Sequence, residues 1–507
     1  MKSFRFVLAW LAFLVLSGSF AYAAGTTEKA AGDTGVMVLK MMRGEHPSQP
    51  IRTDSPILAE IEKKFSIKLQ INGVPQADWG QKVRTMMATN DIPDLMVLEQ
   101  SDAKAFFESG IFVPVSDHFA KMPNLKKLVD KNPEVKKMYS AEGKMYSIPQ
   151  FARALLTLGQ FPMIRQDLMK KLNLKTPSTF GELEKTLEAL KKAYPDVYPL
   201  TGRTGNILQM FSYAMGAGHD FYYDHDLAKK WVYGPTQPAF KEVVAYLNGL
   251  HKKGLLDPDY LSNTGQQWQE KLSTSRGFFS YDNYSFFPNF NRLLQKQDPD
   301  AKFGPMQTLV NSQGIRRSWF YPKFWTSSYV ISSKVQNLDR TLAYMDWLYS
   351  EAGADLTNFG VEGTHYIKNG SEYVLDADLV KKHLADADPW RGYMTALTAG
   401  LLGVAGYVDE RSQFAFLGSD YKTIYDTVRD DPGMRDTIFP PVFNQQELDK
   451  LKDLRTKLTT LVGQASHQFI MGEKPLSDFD AWVKATLATG TVQEIEAIYN
   501  TAQGRVK

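Results

Sequence analysis

At 507 residues, 43% hydrophobic and 23% charged, the chain exceeds what one hydrophobic core usually supports, so two or more lobes are expected. A formal net charge of +3 is too small for the cationic field that nucleic-acid binding demands. The absence of Cys excludes a disulfide framework, a thiol nucleophile and the lipid-carrying Cys of a bacterial lipoprotein.

Lys2 and Arg5 precede an apolar run from Phe6 to Leu16, and Ala21-Tyr22-Ala23 offers a small-x-small cleavage site before Ala24, the pattern of an export signal over residues 1–23. That run is too short to remain as a bilayer span, and no other apolar run reaches about 18 residues. The expectation is a soluble, unanchored protein of the periplasm. Residues 24–35 (AGTTEKAAGDTG) are small and polar without periodicity and read as a flexible leader.

Val36 to Met42 has the length of a strand, Ser55 to Lys64 the spacing of a helix with Ser at its cap and Pro in its first turn, and Ile67 to Val74 that of a second strand. A helix over Gln81 to Asn90 and a third strand over Asp94 to Leu98 continue the alternation, which predicts a mostly parallel sheet with helices on both faces. Ligands of such sheets bind outside the carboxyl ends of the strands, so Arg43 and Glu45 in the loop Arg43 to Ile51, and Glu99 and Gln100 after the third strand, are candidate contacts.

Arg153 lies just beyond GKMYSIPQ (Gly143 to Gln150), and TPSTFGEL (Thr176 to Leu183) is a capping-box-like helix start. Phe240, Val243, Val244, Leu247 and Leu250 form one apolar face of a helix that ends at Gly254. SYVISSK (Ser328 to Lys334) reads as a return strand, and Asn337 to Leu356 as a further helix.

NFGVEGTHY (Asn358 to Tyr366), PPVFNQQELDKL (Pro440 to Leu451) and FIMGEKPLSDFDAWVKATLATG (Phe469 to Gly490) follow in fixed order. Together with GKMYSIPQ, Arg165 and Asp167 of PMIRQDLM, and the block from Trp231 to Leu261, they resemble the large extracellular solute-binding proteins of bacterial ABC importers, in the long branch that includes the alginate-oligosaccharide binders and the lipoproteins LplA and LipO. The resemblance implies an α/β, two-lobed periplasmic binding protein (type II) with discontinuous lobes, a hinge and an interlobe ligand cleft. Lobe one is expected over 36–151 plus about 328–395, and lobe two over 152–327 plus about 396–507. It implies an oligosaccharide receptor, monomeric, delivering to the membrane permease of an ABC transporter and using no cofactor. Alginate binders of this family carry a calcium loop rich in Asp and Asn after a helix. Here the same region reads AYPDVYPL (Ala193 to Leu200), where Asp196 alone offers a carboxylate, so no calcium is expected there.

No GxSxG, HExxH or GxxxxGK[ST] pattern is present. Sugar binding needs flat rings for the C–H faces of a pyranose and planar polar groups for its hydroxyls. Candidates are Trp79, Tyr146, Gln150, Tyr281, Asn283, Trp319, Trp325, Trp390, Arg391 and Tyr393, with Glu362 and Tyr366 in the glycine-flanked GVEGTHY. Trp325 and Trp390, beside Pro and polar residues, are the favoured platforms, whereas Trp347 and Trp482 sit at core spacing in helices. Arg153, Arg165 and Arg203 could pair with a uronate carboxylate, although ion pairs within the protein are the commoner fate of an Arg. A secreted carbohydrate-active enzyme, needing only two carboxylates in a cleft, and a receptor for a peptide or other non-sugar solute stay open as alternatives.

Overall fold

The computed structural model describes residues 35–45, 50–104, 106–141, 143–152, 159–318, 324–386, 388–400, 404–435, 438, 441 and 443–505. The expected export signal, the leader as far as residue 34, Arg153 and Trp319 lie outside the described residues.

A six-stranded sheet organises the first core. The strand Met37–Glu45 alternates buried Met37, Leu39 and Met41 with exposed neighbours, and Ile67, Leu69 and Ile71 of Ile67–Pro75 do the same beside it. The two run parallel from Met37 opposite Ile67 to Glu45 opposite Pro75. Arg43 and Glu45 thus end a strand and do not lie in a loop. Leu95–Glu99 pairs with the other side of Met37–Glu45 and is buried on both faces up to Glu99, as a central strand must be.

The next strand departs from the parallel expectation. Phe324–Ile331 runs antiparallel to Leu95–Glu99 and to Ser147–Ala152 on its other side. Its first residues lie level with Glu99, the carboxyl end of its neighbour, because the chain re-enters this sheet from that edge and has to run back. Tyr407–Val408 completes the sheet in parallel with Ser147–Ala152. The chain therefore contributes to the first sheet well past residue 395.

A three-stranded antiparallel sheet organises the second core, with Gln160–Arg165 between Phe279–Asn283 and Phe303–Pro305. The helix Pro238–Lys252 packs its predicted face here: Phe240, Val243, Val244, Leu247 and Leu250 are all fully buried. Each such side chain contributes about 2 kcal/mol by burial. Thr179 caps the helix Phe180–Ala193 by accepting from the Glu182 N–H, while the Glu182 carboxylate accepts from the Ser178 N–H. Phe469, Ile470 and Phe479, from the C-terminal motif, join this second core. Ser55, expected as a side-chain cap for the helix Pro56–Phe65, instead donates its hydroxyl to the Leu397 carbonyl at 2.6 Å.

Both sheets belong to one unit, Met37–Lys507. One helix passes between their cores. Arg411–Arg429 places Phe416 against Tyr393 and Val408 beside the first sheet, and Tyr421, Ile424 and Tyr425 against Phe161 and Phe303 of the second. Between these halves the helix breaks at Gly418, whose φ of 79° and ψ of −170° are open to glycine and costly for other residues.

Candidate functional site

The break at Gly418 stands beside a cavity of about 170 Å³ with walls from both cores. On the second-core side, Asn283 accepts from the Ser285 N–H and starts the turn Tyr284–Phe286, which runs into the helix Phe287–Leu294 with Pro288 in its first turn. Phe286, Asn289 and Arg292 recur three residues apart and all line the cavity. On the first-core side, the Asp388 carboxylate accepts from the Arg391 N–H and starts the helix Pro389–Leu397. This cap makes the Pro-flanked stretch around Trp390 a helix, and it brings Trp390 and Arg391 to the cavity. Gln413, Phe416 and Leu417, just before the helix break, close it.

The lining combines apolar rings with planar polar groups. The Arg391 guanidinium lies 5.5 Å from the Phe286 ring centroid, a cation–π contact reaching from the first core's helix to the second core's turn. Its Nε is 3.2 Å from the Asp388 carboxylate. Burial raises the Asp388 carboxyl above its ordinary range despite that guanidinium. Arg292 donates to the Asn289 side-chain oxygen at 2.8 Å, while its Nε is buried with no hydrogen-bond partner, as is Trp390 Nε1. Burial lowers the Arg292 guanidinium.

The other candidates divide. Arg43, Glu45, Glu99 and Gln100 sit together by register at the carboxyl edge of the first sheet, where Ser327 of the return strand donates to the Glu99 carboxylate at 2.6 Å. Burial lowers the Arg43 guanidinium. Trp79, in contrast, is buried with Val83, Met86 and Met87 on the helix Gln76–Thr89, so it packs the first core and offers no free face to a sugar. Tyr146 stacks on Phe107 at 5.4 Å. Gln150 is spent holding the first sheet together, donating to the Ala405 carbonyl at 2.7 Å. Tyr281 is buried in the second core, its hydroxyl against Ser318 at 3.2 Å.

Tyr366 packs with Phe359 and Tyr373, and Glu362 is exposed one turn earlier. Tyr393, two residues beyond the cavity-lining Arg391, turns inward onto Phe416 and His383. Trp325 falls within the return strand, but its side chain is outside the described residues. Trp347 and Trp482 pack against the first and second cores as their spacing predicted.

Two of the arginines weighed for a uronate are already neutralised. Arg165 forms a bidentate pair with Asp167, and Arg203 another with Asp282. In AYPDVYPL the Lys191 ammonium donates to the Val197 carbonyl at 3.2 Å and lies 4.7 Å from the Tyr198 ring centroid. Among the described residues no group of three His, Asp or Glu side chains is placed to hold a metal ion, and no helix is long and apolar enough to cross a membrane. Sequence reading missed Phe286, Asn289, Arg292, Asp388 and Gln413. The first three carried a usable signal, an aromatic ring, an amide and a guanidinium at three-residue spacing on a helix opened by Pro288.

A family model described as bacterial extracellular solute-binding protein matches residues 57–383. The chain is 23% identical to the polygalacturonan/rhamnogalacturonan-binding protein YtcQ of Bacillus subtilis, over 98% of this chain and 99% of that one. It is 25% identical to the fructooligosaccharide ABC transporter substrate-binding protein FusA of Streptococcus pneumoniae, over 95% and 94% of the two chains. The crystal structure of the alginate-binding protein AlgQ2 without calcium ion superposes with a TM-score of 0.75 at 20% identity, covering 93% of this chain and 98% of that one. These likenesses establish the two-lobed architecture for the sheets described above.

Proposed function

The chain belongs to the bacterial extracellular solute-binding protein family, and we propose that it is the substrate-binding component of an ABC importer, capturing an oligosaccharide between its two lobes and delivering it to the membrane permease. The observation that carries this reading is the cavity itself. Phe286 and Trp390 supply ring faces, Arg292, Arg391, Asn289 and Gln413 supply hydrogen-bonding groups, and the walls come from both cores around a helix that breaks at glycine.

A cavity of about 170 Å³ is smaller than the roughly 300 Å³ at which ligand pockets usually begin, so it represents one subsite of a longer groove. That groove extends to Arg43, Glu45, Glu99 and Gln100 at the first sheet's carboxyl edge in this reading. A ligand touching both lobes stabilises their closed arrangement, whereas one touching a single lobe shifts nothing. Micromolar capture requires about −8 kcal/mol, within reach of a few stacked rings and buried hydrogen bonds.

The reading includes export by a cleavable signal over 1–23, a periplasmic location without a lipid anchor, a monomer, and binding without turnover. Lobe one takes 36–151 and the stretch from the return strand to about Phe416, and lobe two takes the remainder. Thermal-shift and calorimetric titration of the mature protein against oligogalacturonides, fructo-oligosaccharides and short peptides tests it, with product analysis of every bound saccharide. The expected result is micromolar binding of a saccharide recovered intact. Binding of peptides alone, or release of shortened saccharides, sinks the proposal.

A further inference from the structure

We propose that the cavity selects a saccharide bearing a carboxylate, with Arg292 of the second lobe as the group that receives it; this rests on the receptor reading above. The inference comes from how the guanidinium groups of this region are paired. Three guanidinium groups converge on this region: Arg203 and Arg391 lie 5.2 and 5.5 Å from the Phe286 ring centroid, and Arg292 lines the same cavity. Arg203 is neutralised by Asp282 through two bonds of 2.9 Å, and Arg391 by Asp388 at 3.2 Å. Among the described residues no carboxylate lies within ion-pair distance of Arg292, whose one side-chain partner is the neutral amide of Asn289. Asp386 contacts His383 at 2.7 Å. Of the three guanidinium groups, Arg292 is the one without a carboxylate partner among the described residues.

A partly buried guanidinium without a counter-ion is unfavourable in the empty site and becomes favourable when an anion supplies the missing partner. The planar fork of Arg suits a carboxylate in two parallel hydrogen bonds. Phe286 and Trp390 line the same cavity, so the anion best matched to the site is carried on a sugar ring and not on a flexible chain. Hexuronate units meet both requirements. A neutral sugar would satisfy the rings and leave the charge.

The test is calorimetric titration of the mature protein with trigalacturonate, with its fully methyl-esterified form, which keeps size and shape but removes the charge, and with a neutral fructo-trisaccharide. The acid is expected to bind at least about tenfold more tightly than the ester, as a charge-assisted bond lost on esterification implies. The preference should shrink as NaCl is raised. In Arg292→Gln the acid-to-ester ratio should fall to about threefold or less, and Arg292→Lys should retain part of it. Equal affinity for acid and ester in the wild type, or an unchanged ratio in Arg292→Gln, overturns the inference. Tight binding of the neutral trisaccharide with either of those results overturns it while leaving the receptor reading intact, whereas no saccharide binding at all removes both. Should Arg292→Gln not fold, the wild-type acid-to-ester ratio and its salt dependence decide the matter.

Discussion

Two regions of the molecule use the same residue types to opposite ends. In one, Arg317 is fully buried against the rings of Tyr213 and Tyr222, 5.1 and 5.8 Å from their centroids, with Asp224 and Asp226 at 3.2 and 3.3 Å. Arg435 reaches Asp226 from another segment, and Ser318 bridges to Met434. In the other, Arg292 and Arg391 face Phe286 and Trp390 with only Asp388 among them. Arginine beside aromatic rings is thus no signature of a binding site. The pairing separates them: the first region answers its cations with carboxylates, and the second leaves Arg292 without one at a cavity with walls from both cores.

Removing Arg317 should break this contrast most forcefully. Arg317→Met strands Asp224 and Asp226 in the interior with Arg435 as their one remaining cation, and is expected to cost about 3 kcal/mol of stability in urea unfolding. A loss below about 1 kcal/mol would mean the knot is ornamental. Gly418→Ala forces a backbone conformation that only glycine adopts readily, though no neighbouring atom lies within 4 Å of the added carbon. It should cost about 2 kcal/mol and alter the ligand-induced compaction seen by small-angle scattering, a response that no change confined to the knot should produce. Trp390→Ala removes a ring from the cavity and should weaken saccharide binding about tenfold, with a smaller effect on the melting temperature than Arg317→Met. Equal affinity in that variant would remove Trp390 as a platform.

The smallest effect is titration. Burial lowers His219, His225 and His467 from the ordinary value of 6.5. Below pH 6.5 the unfolded chain takes up protons that the folded chain resists, so the stability these groups hold at neutral pH is lost progressively as the pH falls. The urea midpoint should decline from pH 7 towards 5, and flat behaviour would place these imidazoles in contact with water.

Local pattern made the scaffold legible. The apolar face of Pro238–Lys252, the cap at Thr179 and the strands up to Glu99 depend on neighbours a few residues away. Of the candidates, Trp390 and Arg391 are brought together at the cavity, because both lie in the one turn that follows the Asp388 cap. Tyr281 and Gln150 were misjudged because a polar group on a strand faces a ligand or a buried carbonyl according to partners far along the chain, here Ser318 and Ala405. Arg292 was missed for the same reason in reverse, since lacking a counter-ion is a property of everything around it. The direction of Phe324–Ile331 was hidden too, being set by the edge at which the chain returns and not by its own residues.

That returning strand also governs when the fold can form. It lies between Leu95–Glu99 and Ser147–Ala152, both of which leave the ribosome long before it does, and the edge strand Tyr407–Val408 comes later still. An N-terminal fragment ending before residue 324 would hold two strands with no partner between them. Pairings so distant along the chain are slow to close. The first sheet consequently stays incomplete until most of the chain has been synthesised.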